Sequence, residues 1–324
     1  AAEKLTKNPT ETMELLSAEL RNINRQIADT RQSYDWISNA PNRIEEYIVR
    51  SQMEDVISGA PTGWGMFDQH TLGIQRGEIA ILFAAPGEGK TFTMCRIALG
   101  AYEAGWNPLI IAYEPTISSL AKRLDSIVAR INGRRYRMGR LTEEEYQRFS
   151  DKMWKVASRK RPFIICKPSG NSVDAIVQSL YEHDYSSHDK WVVFIDQMSF
   201  MHSKGEGYEF YRNLFTEIKE AISPSRLNVP CWLLAQENRE GQKHKGKKLY
   251  HIALTSFAEQ FADLVCNIDT KDDCTIFHIL KNREGATADF VMQLDFEYGI
   301  IEIEGYKSTL GDVDSLARSI FGKE

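Results

Sequence analysis

From Gly63 to about Glu304, short apolar runs alternate with stretches of helical periodicity. The apolar runs predict strands at Ile79–Ala84, Leu109–Tyr113, Phe163–Cys166, Trp191–Ile195, Cys231–Ala235, Leu264–Ile268 and Thr275–Leu280, followed by a late hairpin of Phe290–Leu294 and Ile300–Ile303. The stretches between them predict helices at Thr91–Glu103, Ile117–Ile131, Thr142–Ala157, Ser172–Glu182 and Tyr208–Ala221. Strands that are apolar throughout and separated by helices are typical of a parallel sheet covered on both faces. The pattern therefore predicts an α/β fold.

The first sixty residues follow a different pattern. Asn8 and Pro9 are typical of a helix start. An apolar stripe follows at Met13, Leu16, Leu20, Ile23 and Ile27, with the spacing of one helix face. A second helix is predicted over Arg43–Ile57. The two helices form either an ordinary hairpin or an interaction element. The second interpretation is suggested by the size of the stretch, which is too small to form a hydrophobic core of its own.

The break in pattern at Ser58–Gly63 marks a boundary, since glycine and proline punctuate elements. We predict three parts: a helical segment over residues 1–58, an α/β domain over residues 59–304, and a tail with a short helix over residues 305–324.

Charge and composition limit the classes of function that the chain can have. The chain of 324 residues has 40 basic and 45 acidic side chains, a net charge of −5. A protein that coats nucleic acid through bulk electrostatics is normally basic, so any nucleic-acid contact is expected to be a local patch. Apolar runs such as Ile79–Ala85 are far shorter than the roughly 20 residues of a membrane-spanning helix. Five cysteines without CxxC spacing indicate reduced thiols and a cytoplasmic protein.

A phosphate-binding loop is predicted after the first strand. Gly-Lys-Thr stands where the strand Ile79–Ala84 passes into a helix. Backbone N–H groups and the helix N-terminus would face the phosphates, with Lys90 reaching the β- and γ-oxygens and Thr91 binding Mg²⁺. The usual first glycine is replaced by Ala84. The predicted nucleotide-binding residues are Ala85, Pro86, Gly87, Glu88, Gly89, Lys90, Thr91 and Phe92.

Two carboxylates end predicted strands. Asp196 follows Trp191–Ile195, and Glu114 follows Leu109–Tyr113. The carboxyl ends of parallel strands share one edge of the sheet, so both are expected beside the phosphate loop. Asp196 would then bind Mg²⁺, and Glu114 would polarise an attacking water. For either residue alone, a helix cap or a solvated strand end explains the carboxylate equally well. Together, beside Gly-Lys-Thr, they favour the catalytic interpretation.

Several further motifs occur in order along the chain. They are Pro61–Trp64, Phe67-Asp68, Leu72-Gly73, Gly77-Glu78, Tyr113-Glu114, Ile195–Gln197, Leu234–Arg239, Glu259–Leu264 and Lys281–Gly285. Over about Gly59–Glu304 the chain resembles the RecA-like motor domain of DnaB-family replicative helicases, including phage versions. That family also has alanine at the position of Ala84. The resemblance implies a RecA-like P-loop NTPase with a mostly parallel central sheet flanked by helices, preceded by an N-terminal helical segment.

The resemblance also implies an activity and roles for matching residues. It implies an ATP- and Mg²⁺-dependent helicase that moves 5′→3′ on single-stranded DNA as a hexameric ring in the bacterial cytoplasm, with a primase and a loader as possible partners. The implied roles are MgATP binding by Lys90, Thr91 and Asp196, catalytic base for Glu114, γ-phosphate sensing by Gln236, and contact with the neighbouring subunit's ATP site by Lys281 and Arg283, the latter as an arginine finger. The alternatives are a RecA- or KaiC-like ATPase acting in recombination or as an assembly switch, and a non-catalytic nucleotide-gated module.

A lysine-rich loop is the predicted DNA contact. Within Gln242–Lys248 there are four lysines and no acid: Lys243, Lys245, Lys247 and Lys248. Such a loop is either a local DNA-binding patch or simply solvated. Ala253, Leu254 and Ser256 stand where the family usually has an arginine-glutamate pair and a glycine that hold the DNA backbone, so backbone amides and lysines are expected to contribute more here.

Overall fold

The structure is a computed structural model that describes residues 35–52, 57–183, 185–236, 260–271 and 274–306. Its described strands form one nine-stranded sheet. The chain divides into two units, one ending at Val56 and the other beginning at Ile57. The described part of the first unit consists of helix α1 and the turn before it. All the other elements below belong to the second unit.

The helices of the described residues begin and end as follows. They are α1 (Ala40–Ser51), α2 (Gly65–Thr71), α3 (Lys90–Glu103), α4 (Ile117–Ala129), α5 (Gly133–Arg137), α6 (Glu143–Ala157), α7 (Val173–Glu182) and α8 (Gly207–Ile222). The strands are β1 (Ile79–Ala84), β2 (Asn107–Ala112), β3 (Ile164–Cys166), β4 (Trp191–Asp196), β5 (Cys231–Gln236), β6 (Leu264–Lys271), β7 (Cys274–Asn282), β8 (Ala288–Asp295) and β9 (Ile300–Tyr306).

The strand order is β3-β2-β4-β5-β1-β6-β7-β8-β9. The first six strands pair in parallel, as the alternation of strands and helices predicts. From β6 onward the pairing is antiparallel. No helix separates β6 from β7, and a short connection joins only antiparallel neighbours. The late hairpin is therefore the end of a four-stranded antiparallel extension.

The sheet is buried on both faces because its central strands are apolar throughout. In β1, Ala80 and Leu82 face the layer that contains α3, whereas Ile81 and Phe83 face the layer that contains α8. Every residue of β1 is buried. A side chain such as that of Phe83, buried completely, contributes about 1.5–3 kcal/mol to folding. This double burial fixes the register of the strands that carry the site.

Some helix boundaries differ from those predicted. The helix predicted over Arg43–Ile57 runs instead from Ala40 to Ser51, with Gln52 as its C-cap, because Pro41 near its start suits the first turn. Helices α2 and α5 were not predicted; with seven and five residues they are too short to show an apolar period. The stripe Met13–Ile27 and the tail after Tyr306 lie outside the described residues.

Glu145 joins α5 to α6 through a buried carboxylate. It completes a capping box with Thr142 at the start of α6. Its oxygens also accept hydrogen bonds from Arg135, at 2.6 Å from Nη2 and 3.0 Å from Nε. The Arg135 guanidinium lowers the pKa of Glu145 to about 2, and the backbone N–H groups of Thr142 and Asn132 act in the same direction. The negative charge is therefore stabilised in the folded state.

The change Glu145→Gln tests this contribution. Glutamine preserves the cap and removes the charge, so we expect a loss of about 1–3 kcal/mol in unfolding free energy at neutral pH. A lowered pKa stabilises the fold above the ordinary value of 4.5 and loses that effect as pH falls toward about 2. The difference between the two proteins should therefore shrink in that window in urea unfolding.

A matched control is Glu144→Gln, one position earlier. Its side chain is 89% exposed and lies 3.9 Å from Arg148, so we expect a change below about 1 kcal/mol. An equal loss in both variants, or a loss for Glu145→Gln that does not vary with pH, would contradict the assignment.

Candidate functional site

Four parallel strands end at one edge of the sheet and carry the predicted site. Ala84 at the end of β1 is in register with Gln236 at the end of β5. Ala112 at the end of β2 is in register with Asp196 at the end of β4. In the order β2-β4-β5-β1, β2 leads to Glu114 and β1 leads to the phosphate loop. Asp196 of β4 and Gln236 of β5 lie on the two strands between them.

The loop between β1 and α3 has the backbone expected of a phosphate cradle. Gly87 and Gly89 adopt φ of 87° and 86°, values that side chains rarely permit. Gly89 is the N-cap of α3, which starts at Lys90, so the helix N-terminus opens into the loop. The Glu88 carboxylate accepts a hydrogen bond from the Ala85 N–H at 3.2 Å, which stabilises the conformation of the loop.

Lys90 is half-buried beneath this loop. Its Nζ donates to the Ala235 carbonyl of β5 at 3.2 Å, which holds the ammonium group at the floor of the cavity. Burial lowers the pKa of Lys90, and the carboxylates of Asp196 and Glu114 oppose this shift. A cation whose charge is disfavoured by burial gains most from an anionic ligand.

Asp196 is a fully buried carboxylate at the end of β4. Within the described part of the chain, neither of its side-chain oxygens has a hydrogen-bond partner. Burial raises its pKa, whereas the Thr91 hydroxyl and the Lys90 ammonium, which lie close without completing a hydrogen bond to either oxygen, oppose the rise. A buried acid in this state is stabilised by a cation. Mg²⁺ typically binds one or two protein groups together with substrate phosphates, so Asp196 and Thr91 fit a magnesium ion.

Glu114 lies just beyond β2 and is exposed to the cavity. The N–H groups of Tyr113 and Glu114 donate to the Asp196 carbonyl at 2.8 and 3.4 Å, which continues the β2–β4 pairing past the end of the strand. On the other side, the buried Gln197 donates from Nε2 to Oε1 of Gln236 at 3.4 Å. Gln236 is thereby linked to the residue after Asp196.

A cavity of about 410 Å³ is lined by the phosphate loop, Glu114 and Gln236, whereas the fully buried Asp196 does not line it. Three lining residues were missed in the sequence: Arg123, Gln197 and Phe296. Phe296 lies in the turn between β8 and β9, 5.4 Å between ring centroids from Phe92, and the Arg123 guanidinium lies 5.1 Å above the Phe92 ring. The only sequence feature that could have indicated a role for Phe296 was an aromatic residue in the turn of the predicted hairpin.

A second cavity of about 550 Å³ adjoins the first and shares Phe92, Arg123 and Phe296 with it. Its wall combines hydroxyl and cationic groups from α4 and α5, among them Ser118, Ser119, Lys122, Arg134 and Arg137. Together the two cavities are large enough for a nucleotide.

Lys281 and Arg283 lie at the opposite edge of the sheet from the phosphate loop, where β1 begins. The Arg283 N–H donates to the Asp263 carbonyl at 2.9 Å, and the Asp263 N–H donates to the carbonyl of Ile79, the first residue of β1. The phosphate loop follows the last residue of β1. A strand of six residues spans about 17 Å, so the structure does not bring these two side chains to the site of their own chain.

The predicted DNA-binding lysines, Lys243, Lys245, Lys247 and Lys248, lie outside the described residues, as do Ala253, Leu254 and Ser256. Within the described residues no group of three or more His, Cys, Asp or Glu side chains could hold a metal ion. No described helix has the length and apolar character required to cross a bilayer.

A parallel sheet with a Gly-Lys-Thr loop after its central strand, and a carboxylate at the end of a strand near it, is typical of P-loop nucleotide-binding domains, the class to which RecA-like domains belong. Comparison with known proteins narrows the class. The model of the family "DnaB-like helicase C terminal domain" matches residues 59–303. The chain therefore belongs to this family, which confirms the predicted family membership.

Relatives and solved structures agree with this assignment. The replicative DNA helicase DnaB of Helicobacter pylori is 26% identical over 242 residues, covering 74% of this chain and 49% of that protein. The chain spans about half the length of the first curated relatives it matches. A solved structure described as an ATPase domain has a TM-score of 0.74 at 19% identity, covering 83% of this chain and 99% of that one.

A second structure, of a DnaB-like replicative helicase and its interactions with primase, has a TM-score of 0.77 at 19% identity and covers 93% of this chain and 73% of that one. These likenesses confirm the predicted RecA-like fold. The roles of the individual site residues stay predictions.

A pair of glycine variants tests the packing of the phosphate loop. A Cβ on Gly89 would lie 2.3 Å from the Phe296 ring, whereas one on Gly87 would meet no atom within 4 Å. Both have positive φ, so Gly87→Ala should cost roughly 1–2 kcal/mol. Gly89→Ala should cost a further ~1–3 kcal/mol from overpacking. Urea unfolding without nucleotide measures both.

Adding Phe296→Ala separates the two contributions. It should recover the extra loss of Gly89→Ala and leave the loss of Gly87→Ala unchanged, as the coupling in a double-mutant cycle. Equal losses for the two glycine variants would show that the Phe296 ring does not pack on the loop.

Proposed function

We propose that this chain is the motor domain of a ring-forming DNA helicase that hydrolyses ATP at the interfaces between its subunits. One observation carries the proposal. Lys90, Asp196, Glu114 and Gln236 lie at one end of the parallel strands, whereas Arg283 is bonded to Asp263 beyond the opposite end of β1, a strand about 17 Å long. A complete catalytic set therefore requires two subunits.

Nucleotide binding is assigned to the loop and to the groups beneath it. The N–H groups between Ala85 and Thr91 and the N-terminus of α3 receive the phosphates, and Lys90 neutralises the β- and γ-phosphate oxygens. Asp196 and Thr91 hold Mg²⁺, which when bound neutralises the charge of the phosphates. Phe92, Phe296 and Arg123 form the wall toward the second cavity and suit the ribose and base.

Hydrolysis is assigned to the residues on either side of Asp196. Glu114 orients the attacking water and accepts its proton. Gln236 faces the same cavity, and its hydrogen bond to Gln197 ties it to the strand that ends in Asp196. Loss of the γ-phosphate would thereby be transmitted to β5 and to the segment that follows it, which includes the lysine loop.

Lys281 and Arg283 of each subunit are assigned to the ATP site of the neighbouring subunit. Lys281 lies near the end of β7, Arg283 follows the last residue of that strand, and the Arg283 side chain is half exposed. A guanidinium presented in this way stabilises charge on the transferred phosphoryl group. The proposed assembly is a ring, with a hexamer expected from the family.

The DNA contact is assigned to Lys243, Lys245, Lys247 and Lys248, which follow β5 in sequence. Four cations in one loop per subunit suit sequence-independent contact with the phosphates of single-stranded DNA. The net charge of −5 agrees with a protein that contacts DNA through such a loop and not over its whole surface. Movement 5′→3′, as in the family, completes the proposal.

The proposal extends to partners. A DnaB-like helicase in a solved structure interacts with primase, and we assign this chain a primase and a loader in the bacterial cytoplasm. Such contacts would involve the protein as a whole, and this chain spans about half of its curated relatives.

Mixing two inactive variants tests the shared site. Arg283→Ala removes the finger and keeps the chain's own nucleotide site, whereas Lys90→Ala does the reverse. Each alone should lose about 10³-fold or more in ATP turnover. Rings assembled from both should regain part of the activity, because some sites then combine an intact Lys90 with an intact Arg283. Steady-state ATP hydrolysis, with subunit exchange verified by a fluorescent label, measures the result.

The outcome distinguishes two arrangements. Recovery above the average of the two separate proteins supports a site shared between subunits. Well-mixed rings that show no recovery would exclude Arg283 as a finger acting on a neighbour.

Alanine at Lys243, Lys245, Lys247 and Lys248 tests the DNA contact. Single-strand affinity should fall, and the plot of log affinity against log salt concentration should become shallower by up to about 3 units, since each phosphate contact contributes ~0.7. Fluorescence anisotropy across a salt series measures both. As a control, alanine at Lys152, Lys155, Lys160 and Lys204, all exposed, should leave the slope unchanged. An unaltered slope in the loop variant would move the DNA site elsewhere.

A further inference from the structure

Asp263 is a buried carboxylate at the end of β1 that is remote from the phosphate loop, with a side chain 6% exposed. Its Oδ1 lies 2.5 Å from Nη1 of Arg283. Its Oδ2 lies 2.6 Å from Nζ of Lys219 and accepts the Ile79 N–H at 2.9 Å. The backbone carbonyl of the same residue accepts the Arg283 N–H at 2.9 Å. Asp263 therefore contacts both the backbone and the side chain of Arg283.

The segment that contains Asp263 is fixed from two directions. On the side of α8, the Phe261 ring stacks on Phe215 with 5.7 Å between centroids, and Lys219, one turn further along the helix, pairs with Asp263. On the side of the sheet, the Asp263 N–H donates to the Ile79 carbonyl at 2.8 Å. The carboxylate is thus anchored to the core and has little freedom to follow a moving side chain.

Arg283, in contrast, is half exposed, with 48% of its side chain accessible. A guanidinium has five N–H donors in a planar fork. Asp263 accepts at Nη1, one corner of that fork, which leaves the outer edge facing away from the anchor. Lys281 is held beside it, since its Nζ donates to the carbonyl of Ala262 at 2.6 Å. The adjacent residues Ala262 and Asp263 therefore hold both cations.

We propose that Asp263 is a positioning residue for Arg283: it holds one corner of the guanidinium against the core, so that the remaining donors are presented outward before the neighbouring subunit's nucleotide arrives. The inference rests on the proposed function, in which Arg283 completes the site of another subunit. A long side chain that is held in its working geometry loses less freedom when it engages the phosphate. Lys219 balances the second carboxylate oxygen, so the buried charge stays compensated while Arg283 works.

Asp263→Asn tests the role because it keeps the shape and removes the charge. We expect kcat for ATP hydrolysis to fall roughly 10- to 100-fold, with KM for ATP changed by less than about two-fold, since the variant's own nucleotide-binding residues are intact. The double variant Asp263→Asn/Arg283→Ala should be no slower than Arg283→Ala alone. A merely structural role would make the two losses add.

Mixed rings separate this inference from the function on which it rests. Asp263→Asn mixed with Lys90→Ala should regain activity, because Lys90→Ala subunits supply a correctly held Arg283. Asp263→Asn mixed with Arg283→Ala should not. If Lys90→Ala rescues Arg283→Ala and fails to rescue Asp263→Asn, or if Asp263→Asn keeps wild-type kcat, the positioning role is wrong and the shared site stands. If Lys90→Ala rescues neither variant, the shared site itself is wrong.

Two further variants keep the test decisive. Asp289→Asn alters a carboxylate contact within the antiparallel strands, that of Asp289 with Nδ1 of His278 at 2.7 Å, and should leave kcat and KM unchanged. Asp263→Glu keeps the charge and displaces it, so an intermediate kcat is expected. If Asp263→Asn does not assemble into rings, Asp263→Glu takes its place in the same mixtures, and wild-type kcat for that variant would contradict the proposal.

Discussion

The parallel pairing of β1 with β5 and β6 is the constraint on which the rest of the structure depends. One end of β1 leads into the phosphate loop, beside Gln236 of β5. The other end pairs with the backbone of Asp263, just before β6. Because an extended strand of six residues cannot shorten, the nucleotide-binding groups and the Arg283 turn are kept apart within one chain. Under the proposed function, a catalytic set that includes Arg283 is therefore shared between two subunits.

Two buried carboxylates at opposite ends of the sheet show how the protein places charge. Asp263 has its charge compensated by Lys219 and Arg283, which makes it an anchor. Asp196 has no hydrogen-bond partner for either oxygen within the described residues, and burial raises its pKa, which suits it to receive a metal ion. The same residue type is thus an ion-pair partner at one edge of the sheet and the proposed metal ligand at the other.

Much of this was predictable from the sequence, because the relevant signals are local. The strand-loop-helix around Gly-Lys-Thr and the carboxylates after apolar strands mark their positions in the chain directly. The parallel part of the sheet follows from the alternation of strands and helices. The β8–β9 hairpin was predicted and is confirmed, whereas the antiparallel pairing of β6 with β7 was not predicted, although only a short connection joins them. The contribution of Phe296 was not predictable, because it depends on a contact with Phe92 in a distant segment. The same holds for Asp263: only the fold brings it to Lys219 and Arg283, 44 and 20 positions away.

Unwinding of a forked DNA duplex, at a protein concentration that supports rings, tests the proposed helicase function most directly. Substrates with only a 5′ tail or only a 3′ tail would be compared, with ATP and Mg²⁺, and with Glu114→Gln as a variant that should bind nucleotide without turnover. We predict strand separation that requires a 5′ tail and ATP hydrolysis and that is absent in Glu114→Gln. ATP-dependent strand exchange without unwinding, or unwinding by Glu114→Gln at the wild-type rate, would contradict it.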